Sequence, residues 1–243
     1  MTVAERKQTR NDNGWKGFAM KDELVIIPIW EDKNVSGILS IPDTGPRDTG
    51  VILSHGAGND MSYPLLASLA EGIANAGHIA LRFNFHYREM GKESPDNDDL
   101  LYLAWQGAYR FLAEHPQYGP KRIVGAGKSM GARIASQLAA EGMLAFDRLI
   151  FLGYPLHRPG KKDRLRDSHL HQIAIPMFFF AGTRDPFCDL QLLRQVLSKL
   201  RAPCELEVIE GGDHSFHVPA SYPIDPTEIY ELIVCRTLEW LSE

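Results

Sequence analysis

The spacing G-x-S-x-G occurs once in the chain, as Gly127, Ser129 and Gly131, between an apolar run and an amphipathic stretch. A serine on a sharp turn from a strand into a helix presents its hydroxyl, and flanking glycines remove Cβ atoms that would clash there. The amino end of the helix also favours negative charge developing on a substrate oxygen. The pentapeptide therefore predicts a nucleophilic Ser129. The structural alternative is a glycine-rich turn in which Ser129 caps the helix.

The same letters permit a second functional interpretation. Gly125 to Ser129 reads GAGKS, which is similar to the end of a phosphate-binding P-loop. That motif needs a further glycine at position 122, where the chain has Arg122. It also needs a loop where Ile123–Ala126 is apolar enough to be a strand, so the sequence favours the nucleophile over the nucleotide site.

A serine hydroxyl becomes a good nucleophile when a base accepts its proton and a third group orients that base. On sheets of alternating strands and helices these groups follow the serine in the order acid, then histidine, each after a later strand. Asp185 lies in the segment GTRDP that directly follows the run PMFFFA, and His214 lies in the segment GGDHSF that directly follows LEVIE. We therefore predict the triad Ser129, Asp185 and His214. Asp213 and His217 are the competing acid and base.

Two backbone amides are expected to bind the oxyanion that forms in such a reaction. One belongs to the residue after the nucleophile, Met130, and the other to the loop after the third strand. That loop contains the segment HGAG, and we predict Ala57 as the second donor in preference to Gly56. His55 is expected either to line the pocket or to brace this loop through its ring.

Further pocket residues are predicted from their positions next to the ends of strands. Aromatic and aliphatic residues at such positions are equally good candidates for plain core. The predicted lining consists of His55, Gly56, Lys128, Tyr154, Leu156, Phe187 and Phe216.

Apolar runs alternate with amphipathic stretches along the chain and define the elements that must position these residues. The predicted strands are Leu24–Trp30, Val35–Ile41, Val51–Ser54, Ile79–Phe85, Arg122–Ala126, Leu149–Tyr154, Pro176–Ala181 and Glu205–Glu210. The predicted helices are Pro64–Ala76, Asp98–Glu114, Met130–Glu141, Asp189–Leu200 and Pro226–Leu241.

Two strands followed by alternating strands and helices predict an α/β fold with a mostly parallel, doubly wound sheet of eight strands. Ligands bind such sheets beyond the carboxyl ends of the strands, which is where the candidate residues lie. Residues 21–243 are expected to form one domain after a polar extension, residues 1–20. The 21 residues between Tyr154 and Pro176 are too few for a separate cap domain.

Composition excludes several classes of protein. The 243 residues are 44% hydrophobic and 23% charged, and the net charge of −5 gives no electrostatic case for nucleic acid or an anionic membrane as partner. No apolar run approaches the length of a membrane span, and three cysteines without C-x-x-C spacing favour a reducing compartment. We expect a cytoplasmic protein with no metal and no cofactor, whose partner is a small-molecule acyl substrate. The sequence is compatible with a homo-oligomer.

Taken together, GKSMG, HGAGND, GTRDPF and GGDHSF resemble the α/β-hydrolase superfamily, and within it the dienelactone-hydrolase-like branch. With GYPLH, they are also similar to a subgroup of small, cap-less hydrolase-like proteins that includes bacterial proteins and a domain of a chromatin-associated complex subunit. The resemblance extends from about Val25 to the carboxyl terminus. It implies an α/β-hydrolase fold and a serine hydrolase acting on an ester, thioester or related bond.

The chain departs from dienelactone hydrolases in one respect. Those enzymes use cysteine as the nucleophile, whereas this chain has Ser129. The resemblance therefore does not imply dienelactone as the substrate. A non-catalytic interaction module on the same fold is the alternative function, because an intact triad shows competence rather than use.

Overall fold

The computed structural model describes residues 20–43, 45–222 and 225–243. The strands are β1 (Met20–Trp30), β2 (Lys33–Pro42), β3 (Thr49–Ser54), β4 (Ile79–Phe83), β5 (Arg122–Lys128), β6 (Arg148–Leu152), β7 (Met177–Gly182) and β8 (Cys204–Ile209). The helices are α1 (Pro64–Asn75), α2 (His86–Glu89), α3 (Asp98–Ala113), α4 (Met130–Ala140), α5 (Leu190–Leu197) and α6 (Pro226–Leu241). A 3-10 turn, Ser168–Gln172, precedes β7.

All eight strands form one sheet in the order β1-β2-β4-β3-β5-β6-β7-β8. The β1–β2 and β2–β4 pairs are antiparallel, and every pair from β4 through β8 is parallel. The fold is therefore the predicted α/β-hydrolase fold with a mostly parallel sheet. Residues 153–176, all described, contain the 3-10 turn as their one helical element, so no cap domain covers the sheet here.

The helices cover both faces of the sheet because neighbouring residues of each strand point to opposite faces. On β7, Phe178 and Phe180 pack with the apolar residues of α1 and α6, whereas Phe179 packs with those of α3 and α4. The central strands β3, β4 and β7 are buried along their whole length, as expected where helices cover both faces.

Several elements differ from the predicted ones. The first strand begins at Met20 rather than Leu24, because its first residues pair with the end of β2. The sixth strand ends at Leu152 rather than Tyr154, because Gly153 has a φ of +66° and turns the chain. The short α2 and the 3-10 turn are absent from the prediction, since neither is long enough to show helical periodicity.

The predicted polar extension, residues 1–20, lies outside the described residues except for Met20, the first residue of β1. Among the described residues, no helix combines the length and the apolar character that a bilayer crossing requires.

Candidate active site

Ser129 lies on the sharp turn between β5 and α4, at the carboxyl end of the sheet. Its φ of 50° and ψ of −109° are unfavourable for a residue with a side chain, so the surrounding structure must hold the turn in place. The helix packs too tightly on the strands for side chains at the flanking positions. A Cβ on Gly127 would lie 2.3 Å from the Ala132 nitrogen, and one on Gly131 would lie 2.2 Å from Ser54 Oγ. These contacts explain the two glycines of the motif.

The structure brings Ser129, His214 and Asp185 together from the ends of β5, β8 and β7. Ser129 Oγ lies 2.7 Å from His214 Nε2, and His214 Nδ1 lies 2.7 Å from Asp185 Oδ2. The Asp185 carboxylate accepts a hydrogen bond from Nδ1–H, which keeps the ring proton on Nδ1 and leaves Nε2 free to accept the serine proton. The Asp185 side chain is fully buried, whereas that of His214 is 19% exposed towards the cavity.

The loop after β7 fixes the Asp185 carboxylate from its second oxygen. Asp185 Oδ1 accepts a hydrogen bond from the Phe187 amide at 2.8 Å. The Phe187 ring then lies over the His214 imidazole, with ring centroids 4.5 Å apart. The two carboxylate oxygens therefore have different partners: Oδ1 binds the loop at Phe187, and Oδ2 binds the imidazole of His214.

The competing residues Asp213 and His217 lie elsewhere. Asp213 Oδ1 accepts the amides of Ser215 and His217, so this carboxylate closes its own turn. His217 is exposed, and its Nδ1 faces Asp213 Oδ2 at 3.5 Å. Neither side chain contacts Ser129 or the His214 ring in the described structure.

Met130 and Ala57, whose backbone amides are the predicted oxyanion donors, line the same cavity as Ser129. Within the described residues neither amide donates a hydrogen bond to a protein acceptor. His55 braces the loop that carries Ala57, because its Nδ1 donates to the Gly56 carbonyl at 2.8 Å and its Nε2 accepts the Phe85 amide at 3.1 Å. Burial lowers the pKa of His55 to about 4, which keeps Nε2 an acceptor at neutral pH.

A cavity of about 410 Å³ opens above Ser129, a volume typical of small-molecule sites. Of the predicted lining residues, Gly56, Lys128 and Phe187 border it, together with Ala57, Met130 and His214.

Four of the predicted lining residues lie in the core instead. The side chains of His55, Tyr154, Leu156 and Phe216 are all buried away from the cavity. Tyr154 follows the turn at Gly153, and its hydroxyl donates to the Arg166 carbonyl at 2.7 Å, which places the ring beneath residues 166–169. Phe216 packs in the apolar layer under α1 and α6. These residues follow strands as the sequence indicated, and their side chains turn into the core.

Two arginines that were not predicted from the sequence, Arg133 and Arg166, also border the cavity. Arg133 lies one helical turn after Ser129, so its i+4 spacing on α4 was an available signal. Its guanidinium is neutralised by Asp98 through two contacts of 3.0 and 3.2 Å. Arg166 lies in an irregular segment with no periodicity to mark it, and among the described residues no carboxylate pairs with it. Burial, with Arg133 and Arg158 nearby, lowers the pKa of Arg166.

The nucleotide-binding interpretation fails because residues 122–128 form β5 rather than a loop. Lys128, which would have to reach a phosphate, is 2% exposed and points beneath the sheet end towards His214.

Comparison with known proteins gives one family and many solved structures. The family described as "Alpha/beta hydrolase domain" matches residues 47–241. A dienelactone hydrolase from Anabaena variabilis is 20% identical with a TM-score of 0.67, covering 88% of this chain and 95% of its own. A lid-less serine hydrolase from Xanthomonas campestris is 18% identical with a TM-score of 0.69, covering 92% and 96%.

A third similar structure is the esterase Pf2001 from Pyrococcus furiosus, 17% identical with a TM-score of 0.70, covering 99% of this chain and 98% of its own. At these identities the likeness to the three structures concerns the fold.

Proposed function

Because this chain belongs to the α/β-hydrolase domain family, we propose that it is a serine hydrolase of the carboxylesterase or thioesterase kind, which cleaves an ester, thioester or related acyl bond. One observation carries the proposal. Ser129 Oγ, the His214 ring and the Asp185 carboxylate follow one another at 2.7 Å each, and Ser129 and His214 line a cavity that Met130 and Ala57 also border.

The first half of the reaction forms an acyl-enzyme. Ser129 Oγ attacks the acyl carbon while His214 Nε2 takes the hydroxyl proton. The carbonyl oxygen becomes an oxyanion, which the Met130 and Ala57 amides stabilise by donating hydrogen bonds. The bond to the leaving alcohol or thiol then breaks, and His214 returns the proton to that group.

The second half regenerates the serine. Water enters the place of the leaving group, His214 takes one of its protons, and the hydroxide forms a bond to the acyl carbon. Collapse of the second oxyanion releases the acid and restores the Ser129 hydroxyl. Throughout, Asp185 holds the proton on Nδ1 and stabilises the imidazolium that forms in each half.

The cavity restricts the acyl group in size. Its volume of about 410 Å³ suits a small acyl group, and no cap domain over residues 153–176 encloses the mouth. We therefore expect the partner to be a small-molecule acyl substrate. A non-catalytic module would be favoured by a blocked or misplaced triad, and the two short contacts of His214 give that alternative no support.

The proposal is tested by hydrolysis of matched ester and thioester series that differ in acyl chain length. The wild type is compared with Ser129→Ala, with His214→Gln, and with Ser198→Ala, whose hydroxyl bonds its own helix at the surface. We expect hydrolysis of short-chain substrates by the wild type and Ser198→Ala, and a loss of at least about 10³-fold in the other two. Equal rates in the wild type and Ser129→Ala would refute the proposal.

A further inference from the structure

The residue before the nucleophile, Lys128, is a buried cation at the centre of the site. It ends β5, is 2% exposed, and its Nζ donates a hydrogen bond of 2.5 Å to the carbonyl of His214. The Phe216 ring lies 5.8 Å from Nζ. The glycine at position 153 leaves room for the lysine ammonium, since a Cβ on Gly153 would lie 3.2 Å from Nζ.

Keeping a charge in this position is costly, so it needs an explanation. Burial lowers the pKa of Lys128 to about 8, against the fields of Asp185 and Asp213, which favour the charged form. The two carboxylates act on the ammonium from the loops after β7 and β8, and the His214 carbonyl accepts its hydrogen bond. A methionine would fill the same volume without the cost of desolvating a charge.

The loop that carries His214 is held mainly at its other residues. The Asp213 amide donates to the His217 carbonyl at 3.1 Å, and the Asp213 carbonyl accepts from the Phe216 amide at 3.0 Å. These two hydrogen bonds close the turn. The Gly212 carbonyl accepts the Arg184 amide at 2.9 Å, which attaches the start of the loop to the loop after β7. Within the described structure, the backbone of His214 itself makes one hydrogen bond, and its donor is Lys128.

We propose that Lys128 is a positioning residue: by holding the His214 carbonyl it keeps Nε2 in line with Ser129 Oγ. The inference deepens the proposed function, on which its kinetic consequences rest. A lysine placed immediately before the nucleophile is joined through the backbone to Ser129 and through its side chain to His214. One residue therefore fixes the separation of the nucleophile and its base.

The contact depends on pH. An ammonium donates a stronger hydrogen bond than a neutral amine, because a charge-assisted bond is about twice as strong. Since Lys128 loses its proton above about pH 8, we expect the hold on His214 to weaken there. The wild-type kcat should accordingly fall above pH 8, with KM little changed.

The kinetic test compares Lys128→Met with the wild type and with Lys121→Met, an exposed lysine paired with Asp48. Displacement of a reacting group by about 1 Å costs on the order of 100-fold in rate. We expect Lys128→Met to lower kcat by about that factor, to leave KM within about threefold, and to lose the decline above pH 8. The Lys121→Met variant should match the wild type in all three.

A second readout does not need turnover, and the wild type alone can decide it. The proton shared by His214 Nδ1 and Asp185 Oδ2 is expected to give a downfield proton NMR signal, which reports the geometry of the pair. In the wild type and Lys121→Met this signal should change with a midpoint near pH 8, and in folded Lys128→Met the transition should be absent. Absence of the transition in the wild type would overturn the inference even where Lys128→Met does not fold.

The outcomes separate this inference from the proposed function. If the wild type hydrolyses no acyl substrate but its NMR signal depends on Lys128, the proposed function fails and the positioning role stands. If Lys128→Met hydrolyses substrates with the wild-type kcat and pH profile, the positioning role fails and the proposed function stands.

Discussion

Lys128 should make the stability of this protein depend on alkaline pH, whether or not the protein is an enzyme. In the unfolded chain its ammonium has the ordinary pKa of 10.5, and in the folded protein burial lowers that pKa to about 8. The folded state therefore binds this proton more weakly than the unfolded state. Because the unfolded state holds more protons between the two values, stability should rise with pH across that interval.

The size of the effect follows from the two pKa values. A difference from 10.5 to about 8 corresponds to about 3 kcal/mol of unfavourable free energy, present in full at pH 7 and below. At pH 9.5 about 1 kcal/mol of this cost remains, because the folded lysine is then neutral and the cost is that of removing its proton one pH unit below the unfolded pKa of 10.5. The lysine should therefore add about 2 kcal/mol to the free energy of unfolding between pH 7 and pH 9.5.

Urea unfolding at pH 7 and pH 9.5 measures this quantity in the wild type, Lys128→Met and Lys121→Met. Other groups titrate in all three proteins, so their contributions cancel in the differences. We expect the wild type to gain about 2 kcal/mol relative to Lys128→Met over this interval, and Lys121→Met to follow the wild type because its side chain is 78% exposed. If the free energy of unfolding changes equally with pH in the wild type and Lys128→Met, the Lys128 ammonium is not destabilised by burial.

Three further predictions concern other residues of the site. Asp185→Asn should lower kcat by about 10⁴-fold while the protein stays folded, because an amide donor facing Nδ1 reverses the imidazole tautomer. Steady-state kinetics measure kcat and circular dichroism checks the fold. A loss of kcat under tenfold would contradict this prediction. Gly131→Ala should lower the free energy of unfolding by about 2 kcal/mol in urea, since its Cβ would lie 2.2 Å from Ser54 Oγ and 2.8 Å from the His55 carbonyl. Arg166→Met should raise KM about tenfold for a hemisuccinate ester and leave KM for the matched butyrate ester unchanged, because no described carboxylate neutralises this guanidinium; equal effects on both esters would contradict it.

The positions of Ser129, Asp185 and His214 could be predicted together because each lies within five residues of the end of a strand. In a parallel sheet, residues that follow strands meet at one edge, so order along the chain is enough to bring them together. The glycines at 127 and 131 added a steric requirement that the structure explains through two contacts under 2.5 Å.

The lining of the cavity could not be predicted in the same way, because it depends on where each loop turns. Tyr154 and Leu156 follow β6 directly, yet the turn at Gly153 and the hydrogen bond from Tyr154 to the Arg166 carbonyl send both into the core. Arg166 reaches the cavity from the irregular segment that this bond holds, and an irregular segment carries no periodicity from which to place it.

The direction of the Lys128 side chain could not be predicted from the sequence either. Its position at the end of a strand predicted a pocket-lining residue, and the structure turns the side chain under the His214 loop. That direction is set by an acceptor 86 residues away in the chain, which no local pattern reveals.

An activated Ser129 can be detected by labelling with a fluorophosphonate, because the reagent reacts with serines whose base is in place. Intact mass and peptide mapping would be compared in the wild type, Ser129→Ala and Ser198→Ala. We predict one adduct per chain, on Ser129, in the wild type and Ser198→Ala, and none in Ser129→Ala. A folded wild type that takes up no label, or an adduct that persists in Ser129→Ala, would contradict the account.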